Sequence, residues 1–107
     1  MKDEKKLLAL LGIAKKAGKV VSGTDMVVES IRSQKKNSVK LLILSSDASA
    51  NTTKRINNTS AYYNIPLMVT EADKNELAHI TGHSSALSVV GIIDSGFAEA
   101  MLKTTEN

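Results

Sequence analysis

Two short runs, VKLLILS (Val39 to Ser45) and LSVVGII (Leu87 to Ile93), limit what this chain can fold into. VKLLILS is nearly unbroken in apolar residues, as expected of a strand covered on both faces. Such strands need helices on either side, and the rest of the chain supplies them in alternation. Leu7, Leu10, Leu11 and Ala14 repeat at helical spacing and leave Lys5, Lys6, Lys15 and Lys16 among the exposed positions. A first helix is therefore expected from about Asp3 to Ala17, stopped by Gly18. Val20-Val21 reads as a short strand, and Gly23-Thr24 opens a second helix with Val27, Val28 and Ile31 turned inward. After VKLLILS, the polar SSDASANTTKR turns into a third helix with Ile56 and Tyr63 on one side. Pro66 ends that region, and LMV (Leu67 to Val69) makes another strand. Asp73 to Thr81 is expected as a fourth helix and LSVVGII as a fourth strand. Ser95-Gly96 then turns into a last helix that buries Phe97, Met101 and Leu102. The alternation predicts an α/β fold with helices on both faces of one sheet.

At 107 residues the chain is expected to be one domain, residues 1 to 107. A chain of this size hides roughly 60 to 70% of its unfolded surface and needs no disulfide or metal to fold. It has no cysteine, which excludes a disulfide scaffold, a thiolate zinc site and a cysteine nucleophile, and suits a reducing cytosol. The start, MKDEKKLLALLGIAKK, has acidic Asp3 and Glu4 where a signal peptide would be basic, and no small-x-small cleavage site follows. No stretch is long enough to span a bilayer. A cytoplasmic protein with no membrane partner is expected, and the sequons at Asn51, Asn57 and Asn58 are then idle.

The formal net charge is only +3, but residues 1 to 55 hold twelve Lys or Arg against five Asp or Glu, whereas residues 56 to 107 hold two against six. With a pI near 9.2, an anionic polymer is the expected partner. One Phe, two Tyr and no Trp leave no aromatic rows for stacking single-stranded bases, so shape or a folded RNA is the expected target.

The stretch GIAKKAGKVVSGTD (Gly12 to Asp25) mixes glycine with lysine as phosphate-binding loops do, yet misses the nucleotide template G-x-x-x-x-G-K-[ST]. Five residues separate Gly12 from Gly18, Val20 stands where the metal-binding hydroxyl belongs, and a helix rather than a strand leads in. The start of the second helix at Gly23-Thr24 is the better anion site. Its free N–H groups point outward, flanked on this reading by Lys19 and Arg32, and suit a backbone phosphate of a nucleic acid.

GKVVSGTDMVVESIRS, VKLLILSSDAS, ELAHITG and SVVGIIDSGFA occur in order and spacing that resemble the ribosomal kink-turn-binding family of the L7Ae and L30e proteins, most closely its bacterial YlxQ-like branch. The resemblance covers nearly the whole chain. It implies a three-layer α/β/α sandwich with a central four-stranded mixed sheet. It also implies a non-enzymatic, cofactor-free, monomeric protein that grips a sharply bent RNA internal loop built on sheared G·A pairs, ribosomal RNA among the candidates, in association with the ribosome or translation. The family's recognition segment begins Gly-Thr-Asn-Glu with a lysine three residues on. Here it reads Gly23, Thr24, Asp25, Met26, Val27, Val28 and Glu29, preceded by Ser22. Gly23 and Thr24 match; the amide is an acid, the acid a thioether and the lysine a glutamate. Asn and Lys donate to guanine O6 and N7, whereas ionised Asp25 and Glu29 only accept. A second contact implied by the resemblance is the loop His83, Ser84, Ser85, Ala86 and Leu87, whose small and apolar groups would cover an extruded base.

Each residue also has a simpler account. Ser22-x-x-Asp25 has capping-box spacing. Met26 could fill core, Glu29 could pair weakly with Arg32, and Ser84 and Ser85 could be loop polarity alone. Glu76, His79 and His83 sketch a metal face, but without the H-E-x-x-H pattern no metal is expected. Asp47, Asp94 and Ser95 lack the positioned base that a hydrolase requires. An alternative to RNA recognition is a protein-interaction or ribosome-biogenesis role with weakened RNA specificity.

Overall fold

The computed structural model describes residues 3–33 and 38–105. The elements alternate as expected: α1 (Glu4–Lys16), β1 (Val20–Ser22), α2 (Thr24–Arg32), β2 (Leu41–Leu44), α3 (Ala50–Tyr63), β3 (Leu67–Val69), α4 (Lys74–Ile80), β4 (Val89–Ile92) and α5 (Ser95–Lys103). The four strands form one sheet in the order β1-β4-β2-β3. β4 runs antiparallel to both β1 and β2, while β2 and β3 are parallel. The sheet is thus mixed, as expected.

Two apolar clusters explain why β2 reads as an unbroken apolar run. Leu41 and Ile43 face one layer, with Leu7, Leu11 and Ala14 of α1, Leu77 of α4 and Met101 of α5. Leu42 and Leu44 face the other, with Val27, Val28 and Ile31 of α2 and Ile56 of α3. The result is the three-layer α/β/α sandwich, with α1, α4 and α5 on one side and α2 and α3 on the other. β4 follows the same alternation until Gly91, where a Cβ would sit 2.9 Å from Val39 Cγ2. Glycine there makes room for the residues that cover the sheet.

Details depart from expectation. The ladder residues of β2 and β4 are shorter than the apolar runs, although Val39, Ser45 and Leu87 beyond their ends are buried. In α5 the buried residues are Ala98 and Met101, while Phe97 and Leu102 lie only partly buried at the margin of the cluster. Asp3, Ser49, Asp73 and Asp94 cap α1, α3, α4 and α5, each accepting a backbone N–H three residues on. α2 is built differently.

Candidate nucleic-acid interface

The N-cap of α2 is Gly23, and no side chain caps the helix. Its φ of 95° and ψ of 144° lie in a region that residues with a Cβ rarely enter. This turn lets the chain leave β1 and enter α2 without a break, so Gly23 donates its N–H to the Val89 carbonyl at 3.0 Å and accepts from Val27 N–H at 2.9 Å. The first N–H groups of α2 are left without a side-chain acceptor, and a helix start in that state favours an anion.

Val89 is where β4 begins, and on its other side Ser45 N–H donates to the Ser88 carbonyl at 2.8 Å. Three segments therefore meet at this end of the sheet: the entrance of α2, the loop from α4 to β4, and the exit of β2. Within the α4–β4 loop, His83, Ser84, Ser85 and Ala86 are exposed. Leu87 is not available to cover a base. It is 4% exposed, because the chain must turn inward to start β4 and its N–H donates to the Lys74 carbonyl.

Asp25 does not cap α2. Its Oδ1 accepts from Arg55 Nη1 at 2.8 Å, an ion pair with α3 in which the Arg55 and Asp25 side chains are 48% and 91% exposed. The capping box fails because Gly23, not Ser22, holds the N-cap position. The Ser22 hydroxyl is instead buried at the end of β1, as is that of Ser45 at the end of β2, each without a partner among the described residues. Met26 is 66% exposed and fills no core. With Val21, Glu29, Ser30 and Ser33 it lines a groove of about 270 Å³ between α2 and the sheet-edge strand β1. Among the described residues Glu29 and Arg32 form no ion pair.

Lys19 and Arg32 do not flank the α2 entrance. Lys19 precedes β1, about 13 Å along an extended chain from Gly23. Arg32 ends α2, about 12 Å down the helix from Thr24. The cation that stands at the entrance is Arg55, which sequence reasoning missed. Its contact spans thirty positions in the chain, and no local pattern signals such a pairing.

Other candidate residues have structural duties. Asp47 accepts the Lys74 N–H, and Asp94 the Phe97 N–H. His83 lies beyond the end of α4, off the face that carries Glu76 and His79. Among the described residues no group of three His, Asp or Glu is placed to hold a metal, and no helix is long and apolar enough to cross a membrane.

Residues 5–102 match the ribosomal protein L7Ae/L30e/S12e/Gadd45 family. The RNA-binding protein YlxQ of Bacillus subtilis (strain 168) is 38% identical over 93 residues, covering 87% of this chain and 88% of that protein. The RNA-binding protein YlxQ of Enterococcus faecium is 32% identical over 97 residues, covering 91% and 88%. Among solved structures, a protein of unknown function from Bacillus halodurans C superposes with a TM-score of 0.83 at 30% identity, over 95% of this chain and 98% of that one. The Giardia lamblia 15.5kD RNA binding protein superposes with a TM-score of 0.75 at 16% identity, over 92% and 80%, a likeness of fold.

Proposed function

The chain belongs to the ribosomal protein L7Ae/L30e/S12e/Gadd45 family, and from that premise we propose that it is a non-enzymatic RNA-binding protein whose reading end is the meeting of α2, the α4–β4 loop and the β2 exit. RNA binding rests on the family and on relatives named for it. The finer reading, a sharply bent internal loop with sheared G·A pairs, rests on one observation. The α2 entrance is uncapped and turns at Gly23, beside the exposed His83 to Ala86 loop at the same end of the sheet. The backbone N–H groups of Thr24, Asp25 and Met26 follow Gly23 in the first turn, and a phosphate is the group such donors suit.

Guanine recognition at this entrance differs from that implied by the family segment. Asp25 and Glu29 present acceptors where the segment has donors, so they take an N1–H or N2–H₂ rather than O6 or N7. Arg55, tied to Asp25, supplies the donor chemistry from another helix. The protein acts in this reading as a cytoplasmic monomer associated with ribosomal or other translation-linked RNA. The exposed Met26 and its groove against Val21 favour the second reading, a protein contact in ribosome biogenesis with RNA specificity reduced.

One triple variant separates the two. Asp25→Asn, Met26→Glu and Glu29→Lys together restore the family segment. On a kink-turn RNA they should raise the preference over the same RNA with Watson–Crick pairs replacing its G·A pairs, by roughly 1 to 3 kcal/mol for one regained bidentate contact. Both RNAs are measured at one salt concentration, because the charge change alone helps both equally. Equal gain on both, or gain on neither, would leave the protein-contact reading standing.

A further inference from the structure

The cations expected beside Gly23 are gathered at the opposite end of the sheet. Lys19 leads into β1 and Lys40 into β2, and both are tied to the far end of β4. Ile93 N–H donates to the Lys19 carbonyl at 3.0 Å, and Lys40 N–H donates to the Ile92 carbonyl at 2.7 Å. Because β4 lies between β1 and β2, the two lysine backbones are two strand spacings apart, about 10 Å. α1 and α2 both run towards this end, one on each face of the sheet, and carry Lys15, Lys16 and Arg32 in their last turns. All five side chains are exposed. Among the described residues none of the five is ion-paired; the Arg55–Asp25 pair lies at the other end, by the α2 entrance.

Among the described residues, one acid stands beside these cations at the start of α5 and another midway along α2. Asp94 accepts the Phe97 N–H as the cap of α5, and Glu29 lies one turn before Arg32 on the groove side of α2. Neither forms an ion pair with any of the five. Cations in the last turn of a helix complement its carbonyl end, which accounts for Lys15, Lys16 and Arg32 taken singly. It does not account for Lys19 and Lys40, which lie outside helices. The two lysine backbones lie about 10 Å apart, close to the Debye length of about 8 to 10 Å at roughly 0.15 to 0.1 M salt. Their flexible side chains bring the charges within reach of one another, so the potentials partly overlap.

We propose that this basic end is a second RNA contact, a sequence-independent seat for the phosphate backbone of a duplex stem. Four of the five cations among the described residues here are lysines, compact point charges on flexible stems that suit phosphates more than the planar edge of a base. The RNA would then be held at two ends of the sandwich. The entrance of α2 takes the bent loop, and the Lys19–Lys40 end takes backbone from another part of the RNA. The contact does not depend on the kink-turn reading, since a plain duplex offers the same phosphates.

The test uses the full chain and a plain RNA duplex with no internal loop, titrated over a range of salt. Lys19→Gln with Lys40→Gln should weaken binding on the order of tenfold or more and reduce the slope of log affinity against log salt by about 2. Lys54→Gln with Lys103→Gln removes the same charge from α3 and α5 elsewhere and should cost less than about threefold. Lys19→Arg with Lys40→Arg should retain wild-type affinity, which separates lost charge from lost fold. The proposal is overturned if the two Gln pairs weaken binding equally, if the Lys19 and Lys40 pair has no effect, if the Arg pair fails like the Gln pair, or if the wild-type protein does not bind the duplex. A failed triple variant at the α2 entrance, with these duplex results intact, removes the kink-turn reading alone.

Discussion

At Gly23 a backbone requirement and the proposed recognition role coincide. A Cβ there would meet nothing within 4 Å, yet φ is +95°, so the cost of a side chain is conformational and not steric. Gly23→Ala should destabilise the fold by about 1 to 3 kcal/mol, read as a lower urea midpoint with unchanged m-value. A midpoint equal to wild type would show that the turn relaxes. The presence of glycine was legible from the sequence; that its backbone alone demands it was not. Asp25 shows the opposite limit. Its spacing from Ser22 is that of a capping box, whereas its carboxylate lies on Arg55. As both side chains are well exposed, Asp25→Asn should cost less than about 1 kcal/mol of stability. A larger loss by thermal melting would mean that the pair holds α2 to α3.

At the scale of elements, apolar patterning together with turn residues such as Gly18 and Pro66 marked the helices and strands, because burial on one face or on two leaves a local imprint on the chain. Strand order left no such periodic imprint. β4 inserts between β1 and β2, a pairing set by packing between segments far apart in sequence. The clearest trace of it is Gly91, which looks like a weak point in an apolar run until Val39 is placed against it. Gly91→Ala should overpack this contact, at about 1 to 3 kcal/mol. Gly12 predicts the reverse. It sits inside α1, and a Cβ there would meet Ile80 Cγ2 at 4.0 Å, an ordinary contact. Gly12→Ala should therefore stabilise by roughly 0.5 to 1 kcal/mol through helix propensity. Opposite signs for the two Gly→Ala variants, measured in the same urea titration, are required by this packing.

For the whole molecule, the uneven charge was legible in the sequence, but its place was not. α1 and α2 run antiparallel to β1, so residues only a few positions apart in sequence end at opposite poles. Lys19 and Arg32 lie at one pole and Gly23 between them in sequence at the other. A net charge of +3 spread evenly over 107 residues would give RNA binding little salt dependence, whereas clustered cations release several counterions together. If about four phosphates are neutralised, the slope of log affinity against log salt should be roughly −3 to −4, on the order of a hundredfold loss between about 50 and 200 mM salt. A kink-turn RNA should show this slope as strongly as one without its G·A pairs, since phosphate contacts carry no sequence information. The preference between the two should stay nearly constant as salt rises, because in the proposed reading it comes from base edges at the Gly23 pole. A flat salt dependence would mean that the basic pole carries no RNA, and a preference that collapses with salt would mean that both RNAs are distinguished by charge alone.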